Sequence, residues 1–518
     1  MPHRCCFIPA SAVAICLLLP LAALGQGLPS AFQWTLAAPV PSPSPAAVEH
    51  RPIAVDVALL GSEAGRALEL PLLDGVYRAV RTSLERHREG FTWRGRLTAP
   101  GGGDVTLTVR NGAVSGLIYA PGAVYEVIPR GKESILARLD QERYPACAGN
   151  VLAEPSAPAV GAEPPAAADP AGQIDVLVLY TTHARTVAGG TAAIQALAQG
   201  AIDAANTAYA NSQIATRLHL VHTEEVTHDD SDFSGTLTWL RGDPTVAKLR
   251  DTYRADLVDL LIDNTQYCGI AYIMNQGLVG SIFAPSGFSV VYHACAVGNL
   301  SFAHELGHNM GCEHDPANGE PPASASYPYA FGHLVNGSYR TVMSYATQCP
   351  NGCTRVAYFS NPGVSFAGQP TGIADQRDNH RTVNNTAGFV ANFRQSSDPA
   401  TQFYTVPPCR VLDTRNTSSP LAAGVPITLS FAGVCGIPAD ATVVAVNVTV
   451  TQPAGLGRVT FYPGNFLPTL DGAISFSGGQ TRSNNAILPL ATNGTGTLGA
   501  MASGAGVHLI VDVSGYFR

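Results

Sequence analysis

Apolar and polar residues alternate with a period of two along four stretches between residues 91 and 128: Phe91-Thr-Trp-Arg-Gly-Arg-Leu-Thr, Asp104-Val-Thr-Leu-Thr-Val, Ser115-Gly-Leu-Ile-Tyr and Val124-Tyr-Glu-Val-Ile. That period sends successive side chains to opposite faces of a strand, and the intervening glycines, such as those at 101–103, mark turns. Residues 51–146 therefore read as a β-rich unit. The pattern changes at Ile174-Asp-Val-Leu-Val-Leu-Tyr, a near-continuous apolar run of the kind found in strands covered on both faces. Thr191–Asn211 then carries Ile194, Leu197, Ile202 and Tyr209 at helical spacing. Further along, Thr216–Val226 reads as a strand, Thr245–Tyr253 as a helix and Leu257–Ile262 as a buried strand. Gly277–Ala284 and Ser289–His293 read as two more strands, and Phe302–Met310 and Thr382–Phe393 as helices. Short Thr/Val/Gly-rich strands return after 402, with Ala445-Val-Asn-Val-Thr-Val-Thr and Val507-His-Leu-Ile-Val-Asp-Val alternating cleanly, so a β-sandwich is expected there.

Composition places the boundaries. At 518 residues the chain is too long for one core. Residues 26–50 are rich in Pro, Ala and Ser, residues 151–172 form an Ala/Pro linker of the kind proteases nick, and a short polar linker follows Ser396. The net charge of −8, with only 13% charged residues and no basic patch, argues against a nucleic-acid partner. At the start, His3 and Arg4 precede an apolar run from Ala10 to Leu24 that ends on small residues. This reads as a signal peptide over 1–25, since the run falls short of the ~20 residues that span a bilayer. The expected product is secreted, extracellular and soluble, with no membrane span, in a compartment that permits disulfides. Three of the eleven cysteines leave with the signal peptide. Cys409–Cys435 is the natural C-terminal pair; Cys268–Cys295 and Cys349–Cys353 are the choices in the central domain, leaving Cys312 free and Cys147 alone ahead of the linker.

The chemistry concentrates in residues 304–315, His-Glu-Leu-Gly-His-Asn-Met-Gly-Cys-Glu-His-Asp. His304 and His308 lie one turn apart on one helix face and can share a metal ion. Gly311 tolerates the positive φ that stops a helix sharply, so the chain can swing back to bring in His314. Three protein ligands leave an open position, the catalytic pattern for Zn²⁺. Glu305 sits where it can act as general base on water activated at that position. Downstream, Met343 stands in Thr-Val-Met-Ser-Tyr.

This helix motif together with that Met-turn resembles the metzincin clan of zinc endopeptidases, and is most similar to secreted bacterial reprolysin-like enzymes, including the peptidyl-Asp metallopeptidases. The resemblance covers about residues 173–395. It implies a multi-domain protein: an α/β metzincin domain (a mixed twisted sheet with an active-site helix) over 173–395, a β-rich propeptide over 26–150, a linker over 151–172 and a β-rich accessory domain over 402–518. It also places Gly277–Ala284 as the antiparallel edge strand above the cleft, where an extended peptide could pair. Met343 would floor the metal site. Tyr345, two residues on, matches a residue that in astacin- and serralysin-type enzymes is a fifth ligand or hydrogen-bonds the tetrahedral intermediate; reprolysins proper usually lack it, and a packing role stands equally open. Asp315 reads as a structural residue at the helix exit, and His293, His333 and His380 as ordinary histidines.

If the peptidyl-Asp resemblance extends to substrate choice, a cation must receive an acidic side chain beside the scissile bond. Arg340 and Arg355 bracket the Met-turn loop and are the candidates, although the plainer reading of both as surface or structural arginines is preferred. Protein or peptide substrates are the expected partners. One catalytic zinc is the expected cofactor; calcium is a possible second ion that no motif specifies. Pro408-Cys-Arg-Val-Leu-Asp-Thr-Arg and Asp512-Val-Ser-Gly-Tyr-Phe resemble an accessory module of secreted bacterial proteins, with surface or glycan contact and a plain folded spacer as its two readings. Arg410, Asp413 and Arg415 read there as an internal salt-bridged turn. The competing function is a catalytically inactive zinc-binding adhesin that uses this module, and the intact Glu305 argues against it. Cys147, just before the linker, could reach the metal as a thiolate and hold a precursor latent, with Asp140 or a disulfide to Cys312 as alternatives.

Overall fold

The computed structural model describes residues 27–35, 42–87, 89–98, 102–131, 133–152, 172–394, 403–465, 473–491 and 494–517. The expected signal peptide lies outside the described residues, as does the linker from 153 to 171. Among the described residues no helix is long and apolar enough to cross a membrane.

The N-terminal strands form one nine-stranded antiparallel sheet, built mainly as a run of hairpins from Ala67–Leu72 to Glu133–Leu139, with Ala47–Val55 and Phe32–Trp34 added beside the last strand. Turn chemistry sets its registers. Asn111 and Gly112 both take positive φ, 50° and 77°, the two-residue turn whose twist matches the flanking strands. Trp93, fully buried, centres the core of this unit and donates from Nε1 to Gly65 O at 2.8 Å.

The central domain carries a six-stranded mixed sheet. Arg217–Val226, Gln173–Thr181, Leu257–Ile262 and Phe288–Tyr292 run parallel, in that spatial order; Gly269–Ile273 follows antiparallel to Phe288–Tyr292. Helix Thr191–Asn211 covers the sheet with an alanine-rich surface that allows close approach. The expected strand at Gly277–Ala284 is not formed. Gly277 and Gly280 adopt φ of 92° and 113°, and a 3₁₀ turn with an internal proline occupies Ser281–Ser286. The antiparallel edge strand is instead Gly269–Ile273, and its outer side is covered: Asn150–Leu152 pairs with it in parallel register. Residues that read as the beginning of the linker are thus an added strand of the central sheet.

Beyond residue 403, two four-stranded antiparallel sheets contribute to one apolar cluster that includes Phe431, Val446, Leu498 and Val511. Arg410, Asp413 and Arg415 are engaged with one another and with Asp512, as the sequence suggests. The bridges Cys268–Cys295, Cys349–Cys353 and Cys409–Cys435 are all formed, and Cys147 and Cys312 are free and buried.

The N-terminal sheet grips the central domain through the long helix. Asp203 is buried there and accepts hydrogen bonds from Thr92 and Thr108, both at 2.5 Å, while Arg94 donates to Asp203 O at 2.9 Å. Asp203→Ala should leave two buried hydroxyls without their acceptor and destabilise the docked sheet by about 1–3 kcal/mol. Thermal denaturation and limited proteolysis of the full chain would show a lower midpoint and earlier release of residues 27–152; unchanged behaviour would contradict this role for Asp203.

Candidate active site

The residue pattern of the metal-site helix, Ser301–Asn309, is closed off by its glycine. Gly311 takes φ 88°; its N–H donates to His308 O and that of Cys312 to Gly307 O, both at 2.9 Å. This paired closure satisfies carbonyls the helix leaves open and reverses the chain, so that His314 returns toward His304 and His308.

The three imidazole Nε2 atoms lie 3.0–3.2 Å apart. Each ring is aimed by its other nitrogen: Nδ1 of His304 donates to Val342 O at 2.9 Å, that of His308 to Cys312 O at 2.8 Å, and that of His314 to Asn318 O at 3.2 Å. A carbonyl can only accept, so Nδ1 carries the proton of a neutral ring and Nε2 presents a lone pair. Burial pushes the pKa of His304 and of His308 well below the usual range, neighbouring imidazoles adding to the effect, and burial lowers His314 to about 4. The rings are therefore neutral at pH 7. Three lone pairs that converge with no proton between them repel one another unless a cation sits among them. Zn–N bonds of about 2.0–2.1 Å in a tetrahedral site separate the nitrogens by roughly 3.3–3.4 Å. The donor set and its spacing fit zinc with one position left over.

Glu305 is fully buried, and among the described residues neither carboxylate oxygen has a hydrogen-bond partner. Burial drives its pKa well above the ordinary carboxylate range. Its room is made by Gly269 of the edge strand, where a Cβ would stand 2.6 Å from the Glu305 carboxyl carbon. Gly307 has the same relation to Met343: a Cβ there would meet Sδ at 2.6 Å, so Met343 packs directly against the metal-site helix. Neither glycine was identified from the sequence; the lone glycine in the apolar run after Cys268 was the available signal, since such a glycine often marks close approach.

Tyr345 stands with its ring centroid 4.3 Å from that of His314 and 6.1 Å from that of His304, and its hydroxyl is buried without a partner. Asp315 is structural, as expected: it accepts from Tyr345 N at 3.0 Å and from Asn318 Nδ2, tying the third-ligand loop to the segment after Met343. Arg340 and Arg355 are buried beside this cluster, so the surface reading of both is incorrect. His293 pairs with Asp263, His333 with Arg377 and His380 with Asp378, none of them among the grouped metal-ligating residues.

Cys147 enters the cleft from the N-terminal side. Its Sγ, a ring nitrogen of His304 and a carboxylate oxygen of Glu305 lie within 4.8 Å of one another. Cys312 turns away toward Asn379 O, and Asp140 is paired with Arg143. The flanking chain runs along the edge strand: Cys268 N donates to Ala146 O and Ala148 N to Gly269 O, both at 2.9 Å.

Known proteins share this arrangement of sequence. Residues 171–360 match the Reprolysin_5 model, described as metallo-peptidase family M12. A peptidyl-Asp metalloendopeptidase of Stenotrophomonas maltophilia is 34% identical over 388 residues, 68% of this chain and 88% of that one. The protein of the same name from Xanthomonas campestris is 31% identical over 418 residues, 74% of this chain and 97% of that one. The full chain should bind one zinc per molecule, measured by atomic emission. His308→Ala, which removes one of three ligands, should lose it; retention of stoichiometric zinc would contradict the ligand set.

Proposed function

The chain belongs to the peptidyl-Asp metalloendopeptidases of the M12 metallopeptidase family; it is a metalloendopeptidase, and we propose that it is exported as a latent precursor and cleaves extracellular proteins beside aspartate. The observation that carries this reading is the convergence of three neutral, buried imidazoles with an unpartnered buried carboxylate on the neighbouring residue. His304, His308 and His314 would hold zinc, which when bound polarises the scissile carbonyl and makes water a better nucleophile. Glu305 takes a proton from the attacking water and delivers it to the leaving amine nitrogen. Gly269 keeps that carboxylate's space clear. Tyr345 supports the oxygen on which charge builds, through a hydroxyl that now has no partner.

The proposed division is a signal peptide over 1–25, a propeptide over 26–150, a linker over 151–172, the catalytic domain over 173–395 and an accessory domain over 402–518. The three disulfides suit export to an oxidising compartment. The aspartate preference is taken from the names of the relatives. For the accessory domain we favour a folded spacer over an attachment module, because Arg410, Asp413 and Arg415 are engaged with one another.

Latency has two supports. Asn150–Leu152 occupies the sheet edge where a substrate strand would pair. Cys147 lies within 4.8 Å of a ring nitrogen of His304 and a carboxylate oxygen of Glu305, and a thiolate that moved from there onto the open position would exclude water.

Glu305→Gln keeps the shape and removes the base. It should retain about one zinc per chain and lose casein hydrolysis by roughly 10²–10⁴-fold or more. Near-parental activity in a pure sample would sink the assigned mechanism. Cys147→Ser in a precursor whose 153–171 segment resists cleavage should show activity the parent lacks, and a thiol-modifying mercurial should activate the parent. If both stay inactive, the thiolate has no part in latency.

A further inference from the structure

Arg340 and Arg355 form a pair that the fold does not neutralise. They are register partners on the adjacent parallel strands Tyr339–Arg340 and Thr354–Arg355, so their side chains leave the sheet on the same face. Both are buried, at 4% and 2% exposure, and among the described residues neither has a carboxylate partner. Their donors are only partly used. Arg340 Nη1 and Arg355 Nη2 both bond Ser344 O, at 3.0 and 3.3 Å, and Arg355 Nη1 bonds Asn299 O at 2.9 Å; the Nε of each has no partner. Two guanidiniums offer ten N–H donors in all, and buried like charges side by side are costly without an anion. Burial and the neighbouring Arg355 charge push the pKa of Arg340 well down.

The pair lies beside the turn that carries Met343 and Tyr345, where both bond Ser344 O. Arg355 is electrostatically coupled to His304, Glu305 and Tyr345, and both arginines to Cys147. The N-terminal unit bonds the backbone of Arg355. Gln141 Oε1 accepts from Arg355 N at 2.8 Å, and Tyr119 OH donates to Arg355 O at 3.1 Å. Departure of that unit frees the Arg355 backbone and takes Cys147 and Tyr119, which interact electrostatically with both guanidiniums, away from them.

We propose that Arg340 and Arg355 together receive the aspartyl side chain beside the scissile bond, as specificity-determining residues. This rests on the peptidase reading above. Ser344 O, held by both, keeps the two planes in place, and a carboxylate can then accept N–H donors from both.

In the test the full chain is expressed in an exporting host and the active enzyme is recovered from the medium. Two peptides differ only in Asp or Asn next to the cleaved bond. The parent should prefer Asp. Arg355→Gln and Arg340→Gln should each reduce the Asp/Asn ratio of kcat/KM by at least about tenfold, chiefly through the Asp peptide, because a site built for a polar group discriminates strongly by it. Arg355→Lys and Arg340→Lys should keep part of the preference, and they serve as folded variants if the Gln forms fail to accumulate. In a Glu305→Gln background, the uncleaved Asp peptide should bind more tightly than the Asn peptide by calorimetry, and Arg355→Gln should abolish the difference. An unchanged ratio in zinc-loaded variants, or equal loss on both peptides, overturns the proposal. A parent that cleaves without preferring Asp also overturns it, and a parent that cleaves nothing contradicts the peptidase reading itself.

Discussion

Three backbone carbonyls decide where a metal can sit. Val342, Cys312 and Asn318 each accept the Nδ1 proton of one ligand histidine, and by doing so fix both tautomer and direction. The carbonyls come from different places: the turn at Met343, the helix exit and the loop after His314. Ligand geometry therefore depends on the segment after the metal-site helix being folded, although that segment supplies no ligand after His314. Gly311 sets the reversal, Asp315 ties the ligand loop to Tyr345 N, and Gly307 lets Met343 close the underside.

The same centre explains the placement of the N-terminal unit. An unpaired sheet edge is open to any extended chain, and a buried carboxylate with no partner is open to any donor. The chain from Ala146 to Leu152 meets the first need by pairing its backbone with Gly269–Ile273, and it brings Cys147 close to Glu305 and His304. The docked sheet holds that segment in place from a distance, through Asp203 on the long helix and Tyr119 against Arg355.

Much of this was legible in the sequence where local rules dominate. The helix Thr191–Asn211 and the strand Leu257–Ile262 fall on the residues their apolar periods predict, and the histidine spacing with Gly311 shows in the observed turn. Where nonlocal contacts decide, the reading failed. Gly277–Ala284 has strand-like apolar residues, but two positive-φ glycines and Pro285 bend it into a 3₁₀ turn. The true edge strand is shorter and interrupted by Gly269, whose purpose is visible only with Glu305 beside it. Helices Thr182–Ala188 and Phe233–Gly242 are short, seven and ten residues, which leaves little periodic signal to read. Burial of Arg340 and Arg355 could not be read locally, since it goes with pairing of two-residue strands and with bonds from the Arg355 backbone to Gln141 and Tyr119, more than 200 residues away in sequence.

The central claim is that His304, His308 and His314 hold zinc and that Cys147 closes the fourth position in the precursor. X-ray absorption at the zinc edge of the purified full chain tests both parts. The account predicts three nitrogen scatterers at about 2.0–2.1 Å and one sulfur at about 2.3 Å, the sulfur disappearing after the N-terminal unit is removed. A precursor spectrum with only nitrogen and oxygen neighbours, or a sulfur that persists in the mature enzyme, would contradict it.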